Sequence, residues 1–155
     1  ESITCLFNVI GYLSTPIQRI RAFREFHRVL KSSGLLFIDF MNRWHLGEGL
    51  SFRRSIFTAF GMYVRSLLPD LGNRGNLFFS LSLNGRRIRG FVHGFSCGEI
   101  KRLLAKNGFD IVDSLIIGYD SGEIKRHYWQ GQYFFIARKT QIPKEVNHEC
   151  SISVA

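Results

Sequence analysis

The chain has 155 residues, 45% of them apolar and 14% aromatic, which is enough to bury one hydrophobic core and too little for two ordinary domains. This composition excludes a wholly disordered protein, and no apolar run approaches the roughly 18 residues of a membrane-spanning helix. The net charge of +9 favours an anionic substrate or partner. Because Cys5, Cys97 and Cys150 lie far apart and form no C-x-x-C pair, we expect no disulfide framework, no cysteine zinc site and an intracellular, cytoplasmic protein.

The first forty residues predict a strand, a helix and a second strand. Ile3 to Phe7 has the composition of a buried strand. In Ser14-Thr15-Pro16 a hydroxyl can accept from helix amides and Pro16 suits the first helical position, so a helix should begin there and run to about Lys31. Its expected apolar stripe comprises Ala22, Phe26, Val29 and Leu30. Leu35 to Phe40 is a nearly continuous apolar run, typical of a strand covered on both faces. This order predicts two parallel strands joined by a right-handed crossover.

Residues 41–95 carry most of the charge, because eight arginines against two acidic residues give this segment +6. Ser51 predicts the start of a second helix over residues 51–68, and Asn84-Gly85 predicts a β-hairpin with a two-residue turn. Counting outward from that turn pairs Leu81 with Ile88, Ser82 with Arg87 and Ser80 with Arg89. We expect the arginine-bearing face of this hairpin to contact water.

The last third predicts a helix followed by two strands. Ser96-Cys97-Gly98-Glu99 has the form of a capping box, and Asn107-Gly108 marks the end of the helix. Phe109 to Ile117 and Gln132 to Ala137 predict two antiparallel strands that a polar connection joins. Residues 140–155 lose the pattern and are predicted to form a flexible tail.

Several segments together resemble one known family. They are Leu6 to Leu13, Arg24 to Gly34, Leu36 to Arg43, Asn107 to Val112 and Phe134 to Lys139. In this order and spacing they closely resemble the C-terminal half of a class I S-adenosylmethionine-dependent methyltransferase. The family's usual helix exit, K-P-G-G, reads Lys31-Ser32-Ser33-Gly34 here.

The resemblance implies an α/β fold: a partial Rossmann-like sheet with a helix plus β-hairpin insertion and a final antiparallel strand. Residues 1–139 would be the C-terminal half of the domain, with residues 41–95 as a basic insertion that covers the acceptor site. The family binds S-adenosylmethionine chiefly through a glycine-rich turn and an acidic strand end, and neither pattern occurs in this sequence. We therefore expect a fragment that leaves the edge of its first strand bare, is poorly stable alone and binds the cofactor weakly or not at all.

The resemblance also assigns site residues. Phe7 and Asn8 would lie beside the methionine portion of the cofactor, because ligands collect at the carboxyl ends of strands; the alternatives are a core position for Phe7 and a turn cap for Asn8. Tyr12 either lies over the transferable methyl group or packs on the helix behind it. Asn42 and Arg43 would hold a polar or acidic acceptor, since arginine offers a planar donor fork, or else they anchor a loop.

No catalytic side chain and no metal site are predicted. Asp39 is either a base or a cap for a neighbouring loop. His93 and His127 are the best-placed histidines, but no H-x-x-x-H spacing indicates a metal. Methyl transfer needs little side-chain chemistry, because the sulfonium is already activated and the enzyme mainly aligns donor and acceptor.

We therefore expect S-adenosylmethionine-dependent methyl transfer to a small or acidic acceptor, with this chain inactive on its own. An alternative from another class is a non-catalytic nucleic-acid-binding module that uses Arg86, Arg87 and Arg89 of the hairpin. Two further alternatives are a peripheral membrane contact through residues 51–68 and an inactive relative kept as a partner subunit. The sequence leaves the oligomeric state and the identity of the acceptor open.

Overall fold

A computed structural model describes residues 1–45, 75–83, 85–127 and 129–140. Its elements are β1 (Ser2–Cys5), a 3-10 turn (Val9–Tyr12), α1 (Pro16–Val29), β2 (Leu35–Phe40), β3 (Asn76–Leu83), β4 (Arg86–His93), α2 (Cys97–Lys106), β5 (Phe109–Ile117) and β6 (Gln132–Lys139). The predicted helix over residues 51–68 and the tail beyond residue 140 lie outside the described residues. None of the described helices is long and apolar enough to cross a membrane.

Four strands form one mixed sheet in the order β1-β2-β6-β5. β1 and β2 are parallel, with Ser2 opposite Leu35 and Cys5 opposite Ile38, whereas β6 runs antiparallel to both of its neighbours. These pairings confirm the predicted α/β class, the parallel first pair and the final antiparallel strand. They also bring the ends of β1 and β2 to the same edge of the sheet, where ligands of open α/β sheets bind.

The first strand is shorter and less buried than predicted. β1 ends at Cys5, and its residues alternate between exposed and half-buried. Phe7 leaves the sheet in a left-handed conformation (φ 64°), because its N–H turns toward a carboxylate on β2 instead of continuing a ladder. Among the described strands β1 pairs only with β2, so its other side is an edge.

Helix α1 begins as predicted and ends early. Thr15 is the N-cap and forms a reciprocal capping box with Gln18. The helix stops at Val29, not Lys31, because Leu30 is extended and buries its side chain in the core. The predicted stripe is wrong at Val29, which is exposed.

The buried face of α1 is centred on Phe23 and Arg19. Phe23 packs against Phe40 of β2 and Phe109 of β5, so this ring joins the helix to both halves of the sheet. Arg19 is buried because it donates to the carbonyl of Leu13 (2.8 Å) and its guanidinium stacks over an aromatic ring. The fully buried hydrophobic residues on the sheet and on α2 are Leu36, Ile38, Phe40, Ile100, Leu104, Phe109, Phe135 and Ala137.

Strands β3 and β4 form a separate two-stranded ribbon with the predicted register. Gly85 has φ +76°, the left-handed conformation that a two-residue hairpin turn favours. The base of the ribbon is tied to the sheet, because β4 packs against the 3-10 turn and Phe95 exchanges backbone hydrogen bonds with Met41 and Arg43. The ribbon therefore projects from the sheet edge where β1 and β2 end.

Candidate functional site at the strand ends

A buried carboxylate shapes the loop after β1. Asp39 Oδ2 accepts the N–H of Phe7 (2.9 Å) and Asp39 Oδ1 accepts the N–H of Asn8 (2.7 Å). Phe7 and Asn8 both adopt positive φ, a conformation that costs a residue other than glycine about 1–2 kcal/mol. Two hydrogen bonds to a charged group offset that cost. Of the two roles considered for Asp39, its geometry is that of a loop cap.

Asn8 joins the two strand ends. Its Oδ1 accepts the N–H of Met41 (2.9 Å), the first residue after β2, and its side chain is buried. Gly11 closes over the same amide, since a Cβ at this position would lie 2.3 Å from Asn8 Nδ2. The side-chain amide of Asn8 thus holds the loop after β1 to the first residue after β2.

Two aromatic side chains stand out from this edge. Phe7 is 86% exposed and Tyr12, at the end of the 3-10 turn, is 57% exposed. Neither packs in the core, so the core alternative for Phe7 is wrong. Large rings left this exposed are available to contact a ligand or another part of a protein.

Asn42 connects two loops. Its backbone N–H donates to the Tyr119 hydroxyl (3.1 Å), its Nδ2 donates to the Gly131 carbonyl (2.9 Å), and its Oδ1 accepts the N–H of Trp44 (2.9 Å). Burial raises the pKa of Tyr119; the N–H of Asn42 opposes that rise and the charge of Asp39 adds to it. These contacts anchor the loop after β2 to the connection between β5 and β6.

Arg43 takes part in a second polar cluster. Its Nη2 donates to Glu99 Oε2 (2.7 Å), and Glu99 Oε1 lies 2.8 Å from Nε2 of the buried His93. The other ring nitrogen of His93, Nδ1, lies 2.7 Å from Asn76 Oδ1. Burial raises the pKa of Glu99, but His93, Arg43 and the N–H of Ser96 outweigh it and hold the pKa below its usual value. The cluster connects the loop after β2, the ribbon and the start of α2.

No sequence motif indicated this second cluster. Ser96 Oγ accepts the N–H of Glu99, as the capping motif predicts, but nothing in that motif indicates that Glu99 also pairs with Arg43, 56 residues earlier. The only sequence signal was an acidic residue at a helix start that follows a histidine-bearing strand.

The five predicted site residues divide into two groups. Phe7, Asn8 and Tyr12 lie together on the loop after β1, and Asn42 and Arg43 lie on the neighbouring loop after β2, where both make internal hydrogen bonds. Their assignment to cofactor and acceptor stays a prediction. Within the described ranges no group of three histidine, cysteine or acidic side chains could hold a metal, and Cys5 and Cys97 are free thiols.

A cavity of about 450 Å³ lies beside the loop after β2. Its mostly apolar lining is formed by Trp44, residues 96–98 at the start of α2, residues 114–116 of β5, and Tyr133 and Phe135 of β6. None of the five predicted site residues lines it. Its size falls in the range of small-molecule pockets.

Three solved structures are similar to this chain. A SAM-dependent methyltransferase from Methanosarcina mazei matches with a TM-score of 0.59 at 18% sequence identity, over 90% of this chain and 57% of its own. The CcbJ methyltransferase from Streptomyces caelestis matches with a TM-score of 0.56 at 11% identity, over 90% of this chain and 60% of its own. An S-adenosylmethionine-dependent methyltransferase from Clostridium acetobutylicum matches with a TM-score of 0.55 at 12% identity, over 90% of this chain and 58% of its own.

The chain has part of the fold of the S-adenosylmethionine-dependent methyltransferases. It spans less than two thirds of the length of each of these three proteins. The sequence matches no protein-family model, and no curated protein is significantly similar to it. The predicted resemblance is therefore confirmed at the level of the fold.

Proposed function

We propose that this protein takes part in S-adenosylmethionine-dependent methyl transfer to a small or acidic acceptor. The observation that carries the proposal is the methyltransferase fold, with TM-scores of up to 0.59 against proteins of that activity. The loop after β1 supports it, because Asp39 turns this loop at the sheet edge where ligands of such folds bind.

The residues present fit one side of a cofactor site. Phe7 offers an exposed ring, and the Asn8 side chain ties the adjacent backbone to Met41 after β2. The sequence contains no glycine-rich turn to approach the rest of the cofactor, so these residues supply only part of the site. When bound, S-adenosylmethionine supplies a methyl group already activated on a sulfonium.

The chain's own contribution is binding and orientation. We assign Tyr12 to direct contact with the acceptor, because its ring is exposed at the end of the 3-10 turn that follows Phe7 in the chain. We assign Arg43 to an acidic acceptor, which would share the guanidinium with Glu99. Asn42, whose amide is engaged with Gly131 and Trp44, contributes by holding the loop that carries Arg43.

The test is a calorimetric titration of the full-length protein with S-adenosylhomocysteine. We expect measurable binding that Phe7→Ala weakens about tenfold, since an aromatic contact contributes about 1.5 kcal/mol or more. Phe78→Ala is the matched control, because Phe78 is also a highly exposed phenylalanine but lies on the ribbon. No binding by the unmodified protein, or an equal loss in both variants, contradicts the proposal.

The acceptor side has a separate readout. Tyr12→Ala should raise the KM for the acceptor and leave the affinity for S-adenosylhomocysteine within twofold of the unmodified protein. Initial rates with a panel of small anionic and neutral acceptors measure this difference. Equal changes in both constants would place Tyr12 on the cofactor and remove it from the acceptor side.

A further inference from the structure

One face of the β3–β4 ribbon combines exposed rings with exposed positive charge. Because opposed and alternate residues of a ribbon share a face, three cross-strand pairs lie together. We call them the arginine face, and they are Phe78 with Phe91, Ser80 with Arg89, and Ser82 with Arg87. The pair nearest the base of the ribbon is aromatic, and the two pairs nearer the turn each join a serine to an arginine.

The aromatic pair presents a stacking surface. The Phe78 side chain is 80% exposed, and its ring centroid lies 5.4 Å from that of the half-buried Phe91. A ring held against a neighbour and open to solvent on its other side suits contact with a planar ligand. Such an exposed ring has no role in the core.

The rest of the face is cationic. Arg87 and Arg89 are exposed and stand about 7 Å apart along β4, at about 3.3 Å per residue. Neither β3 nor β4 contains an acidic residue. The serines opposite both arginines add hydrogen-bonding groups without opposing the charge.

We propose that the arginine face binds single-stranded nucleic acid. Aromatic rings that stack on bases, next to cations that contact phosphates, are what sequence-tolerant binding of single strands requires. A second copy of the chain is disfavoured as the occupant, because two such faces would bring four arginines together. The proposal does not depend on methyl transfer, since none of its residues belongs to the strand-end site.

The test is fluorescence anisotropy of the full-length protein with labelled 12-nucleotide oligo-uridine, and with a 12-base-pair duplex as comparison. We expect tighter binding of the single strand than of the duplex. Phe78→Ala should weaken single-strand binding about tenfold, since stacking on an aromatic side chain contributes that order of affinity. The double variant Arg87→Gln/Arg89→Gln should reduce the slope of log affinity against log salt by about 1.4, at 0.7 per phosphate contact.

Three controls separate this face from general positive charge. Arg86→Gln removes the same charge from the neighbouring position, which points to the opposite face of the ribbon, and Arg21→Gln/Arg24→Gln removes two exposed charges from α1. Both should change the affinity less than threefold, as should Phe7→Ala. Circular dichroism confirms that each variant is folded.

Several outcomes overturn the proposal. They are no binding of either nucleic acid, equal affinity for single strand and duplex, or losses in the α1 control that match those in the ribbon variants. Binding to phosphatidylserine vesicles with the same dependence on Phe78 would identify a lipid surface instead. Self-association that Phe78→Ala abolishes, without nucleic-acid binding, would identify a second copy of the chain as the occupant.

Discussion

Asp39→Asn tests the contact on which the strand-end loop depends. The carboxylate of Asp39 accepts two backbone N–H groups, at 2.9 and 2.7 Å, from residues in left-handed conformations. An asparagine can accept only one of them, and its NH2 group then faces the other N–H. A hydrogen bond to a charged group contributes about 1.5–3 kcal/mol, and a buried donor left unsatisfied costs about 1–3 kcal/mol. The free energy of the lost hydrogen bond already includes part of the cost of the unsatisfied donor, so the two figures do not add in full. We therefore expect a total loss of about 2–4 kcal/mol.

Urea unfolding of the full-length protein, followed by circular dichroism at pH 7, measures this loss. With an m-value of about 2 kcal/mol per molar urea, the midpoint should fall by roughly 1–2 M. Asp113→Asn is the matched control, because Asp113 is exposed and accepts the N–H of the adjacent Ser114. Its effect should stay within about 0.5 kcal/mol. If both variants unfold at the midpoint of the unmodified protein, the loop does not depend on Asp39 and the reasoning is refuted.

Three further predictions concern other described contacts. Gly11→Ala should destabilise the protein by about 1–3 kcal/mol, because the added Cβ would displace the amide of Asn8. In the control Gly98→Ala in α2 the added Cβ meets open space, so this variant should be neutral or stabilised by up to about 1 kcal/mol. The urea midpoints of the two variants measure the difference. Glu99→Gln should lower the free energy of unfolding at pH 7, because the lowered pKa of Glu99 means that its carboxylate stabilises the folded state. The difference in free energy of unfolding between this variant and the unmodified protein should shrink as pH falls from 5 through the folded-state pKa. A constant difference between pH 7 and pH 3 contradicts this. These 155 residues, expressed on their own, should melt without a sharp transition and bind S-adenosylhomocysteine weakly or not at all. A cooperative calorimetric melt with tight binding would disprove this.

Short sequence motifs correctly predicted the elements whose bounds depend on residues close together in the chain. The bounds of β2 follow from its apolar run, and the ribbon register follows from Asn84-Gly85, because a two-residue turn leaves one way to pair the strands. The start of α2 at Cys97 likewise follows from Ser96, which caps the helix through a neighbour three residues on. Each of these features depends on residues close together in the sequence.

Contacts between distant residues determined the rest. β1 stops before Phe7 because of Asp39, which lies 32 residues later, and no local pattern marks a phenylalanine for a left-handed conformation. Arg19 lies on the inward face of α1 because its guanidinium donates to the Leu13 carbonyl and packs over an aromatic ring. Hydropathy alone predicts that this arginine is exposed to solvent. For the same reason the sequence located the candidate site at the strand ends but not the pairing of Arg43 with Glu99.

The most direct test of the account is a crystal structure of the full-length protein with S-adenosylhomocysteine. We predict that β1 and β2 stay parallel and that the ligand lies at their carboxyl ends, within contact of the Phe7 ring and the Asn8 backbone. A ligand bound elsewhere, such as in the cavity beside Trp44, or a β1 that is not parallel to β2, would contradict it.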